Sequence, residues 1–384
     1  MRKALALVVC GAVAALIGCA DDDTGSGLRG KPSASNRADA AGETTAGSEP
    51  APSSAENACA AVQPPTTLAD ASDARDVRIA GAAVFYQAGA KVFRVLKDGT
   101  KKKELYTSPN LVRSYVDKTA MVLIETTPES TEATIRVVQA IVPEDKDGQP
   151  APEPAFPDFP TAADGALPGV TAATDFNAAG TRVFASDEKS FYLLADTGDG
   201  DTIFQVKKKN PNVRTALAQS ANVITNPQIA SGAVWYVRDQ QRIFKVALGD
   251  EENGIEQGEP TEVFGIGYAS CSLAVNERAA FCSVGSAVER RDLTGANPTT
   301  ILDAQQSKTQ ALFGATIARD GALFVRSAAP DEKVKHVIRA LESSGDAVEE
   351  TFVACGRGMV TDLAVDGTSV VWTEEGAGVF LAPR

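Results

Sequence analysis

From about residue 76 onward, short runs of large apolar residues alternate with turn residues, at the spacing of strands rather than helices. One phrase recurs: a large apolar residue usually followed by Ala, then a turn, then an aromatic-rich run. It reads Ile79-Ala80 with Val84-Phe85-Tyr86, Phe184-Ala185 with Phe191-Tyr192-Leu193, and Ile229-Ala230 with Val234-Trp235-Tyr236. It returns as Leu273-Ala274 with Ala280-Phe281-Cys282, Ile317-Ala318 with Leu323-Phe324-Val325, and Leu363-Ala364 with Val370-Val371-Trp372. From Phe184 onward the anchors lie about 45 residues apart. A weaker copy, Val116 with Met121-Val122-Leu123, fills the gap between the first two.

Each phrase leads into a third strand, such as Val92-Phe93-Arg94-Val95 or Ile243-Phe244-Lys245-Val246, and then a fourth, such as Thr299-Thr300-Ile301-Leu302. Four strands per repeat of this length is the pattern of a β-propeller blade, and long 3.6-residue periods are scarce. The last repeat stops after its third strand, at Gly378–Ala382. Pro65-Thr66-Thr67-Leu68 matches the start of a fourth strand at Pro298-Thr299-Thr300 but has no blade of its own. The pattern predicts an all-β, seven-bladed β-propeller over residues 59–384, its ring closed by an N-terminal strand completing the C-terminal blade. The count falls to six if the copy at 112–141 is an insertion. A Pro-rich stretch at about 143–174 breaks the period and is expected as an excursion within blade two.

The N-terminus is of another kind. Arg2 and Lys3 precede an apolar run from Ala4 to Ile17, too short for a comfortable membrane span. Leu16-Ile17-Gly18-Cys19 resembles a bacterial lipobox, which implies cleavage of 1–18 as a signal peptide and acylation of Cys19. Residues 19–58 come next as a flexible tether with Leu28 its only large aliphatic residue, and a coil of that length reaches about 35 Å. Ala20 rather than Asp is next to Cys19, which favours the outer membrane. The formal charge of −13 disfavours nucleic acid and anionic headgroups as partners, so the lipid must supply the membrane attachment.

Four cysteines remain after Cys10 and Cys19. Cys271 and Cys282 bracket a hairpin, and a turn centred between Asn276 and Glu277 puts them opposite each other within disulfide reach. By elimination Cys59 pairs with Cys355, joining the two ends of blade seven.

Candidate chemistry is sparse. His336 is the single histidine, which excludes a Ser-His-Asp hydrolase and multi-histidine metal sites. Loops carrying Glu125, Asp196, Asp331 and Glu374 are expected to share one acidic face. Asp196, Asp199 and Asp201, in Asp-Thr-Gly-Asp-Gly-Asp, suggest a Ca²⁺ loop but lack the distal bidentate Glu, and an Asp-Gly hairpin turn competes with that reading. Lys101–Lys103 and Lys207–Lys209 are expected on outer strands as guards against edge pairing. Arg113, Arg182, Asn226, Gln228, Ser270 and Asp362 enter the inner strands and are the candidates for a polar channel mouth.

Val371-Trp372-Thr373-Glu374 and Val234-Trp235-Tyr236 look like degenerate YWTD-type motifs, and residues 64–384 resemble the tethered bacterial propeller lipoproteins that carry such repeats. That resemblance implies a recognition module. The expectation is a monomeric, lipid-anchored, non-catalytic binding or scaffold module for an envelope protein or glycan, with no cofactor. The alternative is a Ca²⁺-dependent hydrolase or lactonase using Asp362 and Asn226 in the central channel.

Overall fold

The computed structural model describes residues 62–127, 129–142, 154–160, 167–249, 254–267, 271–284, 287–303, 310–317, 322–328, 336–344 and 347–384. Among them no helix forms. β1 (Thr66–Ala69) pairs with none of the strands next to it in the chain. β2 (Ala74–Ala80), β3 (Ala83–Ala88), β4 (Lys91–Leu96) and β5 (Lys103–Thr107) make a four-stranded meander. Then β6 (Leu111–Val116), β7 (Ala120–Thr127), β8 (Ser130–Gln139), β9 (Val170–Ser186), β10 (Ser190–Asp196), β11 (Asp201–Lys207) and β12 (Asn210–Ser220) join in one seven-stranded sheet. Four-stranded order resumes with β13 (Ile224–Ala230), β14 (Ala233–Arg238), β15 (Arg242–Ala247) and β16 (Thr261–Gly265). It continues through β17 (Ser272–Val275), β18 (Ala279–Val284), β19 (Ala287–Asp292) and β20 (Thr299–Asp303). β21 (Gln310–Ile317), β22 (Leu323–Ala328), β23 (His336–Ser344) and β24 (Ala347–Arg357) make the next sheet. The final sheet has β25 (Val360–Val365), β26 (Ser369–Glu374) and β27 (Gly378–Pro383), and its fourth strand is β1.

First strands pack in sequence: β2 on β6, β6 on β9, β9 on β13, β13 on β17, β17 on β21, β21 on β25, and β25 back on β2. This is a propeller arrangement. It explains why second strands read as continuous apolar runs rather than alternations. β3, β14 and β26 are buried on both faces because each lies between two neighbouring sheets. The core is accordingly a set of inter-sheet layers. Leu68, Val77, Val84, Val371 and Val379 make the layer that joins the first and last sheets. β1 takes its place there through Thr66↔Leu381, Thr67↔Phe380 and Ala69↔Val379.

The seven-stranded sheet arises from β9. Its first half pairs with β8, from Val170↔Val137 to Ala173↔Thr134, and its second half pairs with β10, from Arg182↔Leu194 to Ser186↔Phe191. β9 begins at Val170, inside the stretch expected as an insertion to about residue 174. The described part of that insertion is also tied down. Phe159 is buried against Phe85, edge to face at 6.2 Å between centroids, and Ala82 N–H donates to the Ala155 carbonyl at 2.7 Å. Prolines withdraw donors from a ladder but leave aromatic neighbours free to pack, which is what Phe156 and Phe159 do.

Cys271 and Cys282 form a disulfide with Cα atoms 5.5 Å apart. The expected register needs correcting. Ser272 pairs with Ser283 and Leu273 with Cys282, so the turn centre lies between Glu277 and Arg278 and the cysteines meet diagonally. A slip of two residues keeps both on one face, so the bond survives. Cys355 is also disulfide-bonded. Its expected partner Cys59 lies outside the described residues, as do residues 1–18, Cys19 and the tether.

Candidate functional site

The inner strands are irregular where they meet the axis. Ladder registers shift between Arg75 and Arg78, Leu111 and Arg113, Thr225 and Gln228, and Val360 and Asp362. Asp76 and Asn226 take positive φ of 53° and 48°, which their short polar side chains tolerate. Such bulges re-aim side chains, and here they aim them at the neighbouring sheet. Asp362 Oδ2 accepts the Val77 N–H at 2.8 Å, and Asp76 Oδ2 accepts the Ser114 N–H at 3.3 Å. Asn226 Nδ2 donates to the Cys271 carbonyl at 2.9 Å. Gln228 donates to the Leu273 carbonyl and accepts the Val275 N–H at 3.0 Å. Side chains on one inner strand thus complete the backbone hydrogen bonding of the next.

Four arginines gather among these stitches. Arg78 Nη1 lies 3.8 Å from Asp362 Oδ2, and its guanidinium sits 5.0 Å from the centre of the Tyr115 ring. Arg113 Nη1 is 3.2 Å from Asp76 Oδ1. Arg326 Nη1 donates to the Val360 and Thr361 carbonyls, both at 3.0 Å. The Arg182 side chain makes no hydrogen bond or ion pair with the described residues. Burial, and next the charge of Arg113, pull its guanidinium below the usual arginine range, against Asp201, Asp76 and Asp362. Burial likewise pushes the Asp362 carboxyl up, with Arg78 opposing.

Of the expected channel residues, Arg113, Arg182, Asn226, Gln228 and Asp362 all lie on inner strands. Asn226, Gln228 and Asp362 are committed to the stitches, and Ser270 lies outside the described residues. The sequence reading missed Asp76, Arg78, Tyr115 and Arg326. Aligning Asp76-x-Arg78-Ile79 with Asn226-x-Gln228-Ile229 would have found the first two. Arg326 carries no such signal, because it follows the apolar run Leu323-Phe324-Val325 of a second strand.

Other candidates resolve into structural roles. Asp196 and Asp201 pair across the β10–β11 hairpin. Asp196 accepts from Asn177 Nδ2 at 3.1 Å and from the Gly198 N–H at 3.0 Å, and Asp201 accepts the Ile224 N–H at 2.7 Å. Asp199 is exposed at the tip. No group of three or more His, Cys, Asp or Glu among the described residues is arranged to hold a metal. The acidic face also loses two members. Glu125 is buried and accepts from Tyr106 Oη and Arg136 Nε. Glu374 is buried and accepts from Trp372 Nε1 at 2.7 Å, the Gly358 N–H at 3.0 Å and Arg357. Asp331 lies outside the described residues. His336 opens β23 opposite Ala328 and Arg357.

Sequence comparison finds no matching protein-family model and no matching curated protein. Structural comparison finds propellers. A streptogramin B lyase superposes with a TM-score of 0.54 at 9% identity, over 84% of this chain and 97% of that one. The WD40 β-propeller domain of Doa1 gives 0.50 at 12% identity, over 84% and 97%. The β-propeller domain of the trilobed protease from Pyrococcus furiosus gives 0.50 at 11% identity, over 80% and 92%. Identities this low carry the fold and not an activity. The chain from β1 to β27 is a β-propeller.

Proposed function

We propose that this chain is a lipid-anchored, seven-bladed propeller that binds an envelope protein or glycan without catalysing a reaction on it. Seven blades result if the seven-stranded sheet counts as two: β6–β8 with the first half of β9, and the second half of β9 with β10–β12. The observation that carries the non-catalytic reading is the use made of Asp362, Asn226 and Gln228. The Ca²⁺-dependent alternative would draw on Asp362, whose two oxygens accept the Val77 and Leu363 N–H groups, and on Asn226, whose amide nitrogen donates to the Cys271 carbonyl. Polar groups engaged this way hold the sheets in register, as a rigid binding platform requires. The Leu16–Cys19 lipobox supports the anchor, and Ala20 supports the outer membrane.

Cell fractionation tests the anchor. Cys19→Ser is expected to move the chain from the membrane fraction to the soluble fraction or to stall its processing. Normal processing and membrane partition of the variant would refute the anchor. Crosslinking in intact cells tests the binding reading, which expects one specific envelope partner. One tightly held Ca²⁺ per purified chain would instead support the hydrolase.

A further inference from the structure

Two clefts at equivalent places in the propeller differ in what fills them. On the β2–β5 sheet, Phe85, Arg94 and Lys103 stand opposite one another on successive strands and so share a face. The chain covers that row with its own residues 155–159. Phe159 packs edge to face on Phe85, and Arg94 lies 4.5 Å from the centre of the Phe156 ring. Asp158 Oδ1 is 2.9 Å from Arg94 Nη1 and 3.5 Å from Lys103 Nζ. The β13–β16 sheet repeats the row as Trp235, Lys245 and Thr261. There a cavity of about 420 Å³ stands in place of the covering segment. Ala233 and Ala247 pair on the same face, and Gly258 adds no side chain, which hollows the cavity out. Leu293 lines it from the neighbouring sheet. It follows Asp292 as Ala140 follows Gln139, and Ala140 packs in the same layer as Phe156. Lys245 Nζ lies 5.4 Å from the centre of the Trp235 ring. Among the described residues it has no carboxylate partner, Glu259 of the cavity lining included. The first cleft thus holds what the second lacks: a ring against the second-strand aromatic and a carboxylate on the third-strand cation.

We propose that this cavity docks a segment of a partner protein in which an aromatic residue lies beside an aspartate or glutamate, as in Phe156-Pro157-Asp158-Phe159 of the first cleft. The aromatic side chain enters the hollow over Ala233 and Ala247, against Trp235 and Leu293, and the carboxylate reaches Lys245. Thr261 stands where the first cleft has Lys103, so one cation rather than two meets the acid. Ser231 stands at the position of Gly81, where a Cβ would lie 2.1 Å from the Ala155 carbonyl oxygen. The docked segment therefore rests on the Trp235–Lys245 row and not against that turn. This rests on the reading of the chain as a binding module, and it adds the place and the partner's chemistry.

The test is calorimetric titration of the purified full chain with a synthetic peptide of residues 154–160, Pro-Ala-Phe-Pro-Asp-Phe-Pro, capped at both ends. In the full chain the first cleft holds its own copy, so the added peptide reads the second. Saturable one-site binding is expected. Lys245→Gln in the chain, or Asp158→Asn in the peptide, is expected to weaken it about tenfold, and the two together no further, because each removes the same charge-assisted contact. The peptide variant leaves the protein unchanged, so it decides the matter even if Lys245→Gln folds poorly. Lys209→Gln removes the same charge from an exposed position and is expected to bind like the parent. Absence of saturable peptide binding overturns the proposal. So does undiminished binding in Lys245→Gln, or equal weakening by Lys209→Gln. Saturable binding of chitotetraose in place of the peptide also overturns it and assigns the cavity to a glycan. Crosslinking to an envelope partner in intact cells is read separately, so failure of this site and failure of the binding reading are distinguishable.

Discussion

The Lys208 ammonium is held by three oxygens: Asp117 Oδ2 at 2.6 Å, Thr119 Oγ1 at 2.7 Å and the Asp187 carbonyl at 2.5 Å. The lysine side chain is 3% exposed and that of Asp117 17%, so the ion pair is largely desolvated and removing the lysine leaves a half-buried carboxylate without its cation. Lys208→Met is expected to cost about 3–5 kcal/mol, read by chemical denaturation. Burial alone would raise the Asp117 carboxyl, but hydrogen bonds from Lys208 and Ser186, then the lysine charge, bring it below its ordinary value. A lowered folded value means the stabilisation is fully present above the ordinary carboxylate range and is lost as pH falls through the lower folded value. The gap in stability between parent and Lys208→Met should therefore narrow below about pH 4. None of this was legible in Lys207-Lys208-Lys209, which reads as an outer-strand guard against edge pairing. Lys207 and Lys209 fit that reading better, while the oxygens that bury Lys208 come from as far as 91 residues away in the chain. Glu125 and Glu374 mislead in the same manner. A charge in a loop sequence says nothing of the arginine, tyrosine or indole that tertiary contact brings to it.

Individual strands were more legible than their boundaries. The aromatic second strands appear where their apolar runs place them, because burial on both faces leaves no polar position to blur the signal. The double role of β9 was hidden. Its first half, Val170-Thr171-Ala172-Ala173-Thr174, is small and polar, and only the partners Val137 to Thr134 on β8 make it a strand. At the other end of the domain, β1 approaches β27 as closely as it does because residue 378 is glycine. Gly378 has φ of +153°, and a Cβ there would lie 2.1 Å from the Ala69 carbonyl oxygen. Gly378→Ala combines that clash with a backbone conformation costing of order 1–3 kcal/mol for other residues. We expect at least that loss in equilibrium unfolding, together with faster amide exchange at Thr66–Ala69. A variant with unchanged exchange there would show that β1 does not depend on this approach.

At the scale of the molecule, β1 brings four residues to the joint between the first and last sheets, of which Leu68 and Ala69 are buried beside Val77, Val84 and Val371. Deleting Pro65–Asp70 withdraws Leu68 from an inter-sheet layer, strips β27 of its ladder partner and should cost at least about 3 kcal/mol. A melting temperature equal to that of the parent would show that the circuit holds without β1. Seen in time rather than in space, the same joint sets an order of events. Synthesis delivers β1 early and its partner β27 about three hundred residues later, so β1 has no native ladder to join until nearly everything between them exists. The entropy of bringing such distant ends together rises by only about 0.6 kcal/mol per doubling of length. The delay therefore comes from waiting rather than from a prohibitive search. A nascent chain interrupted before Gly378 keeps two unpaired strand edges, on β1 and β26, open to aggregation or proteolysis. The arrival of Gly378–Pro383 is what closes both edges at once.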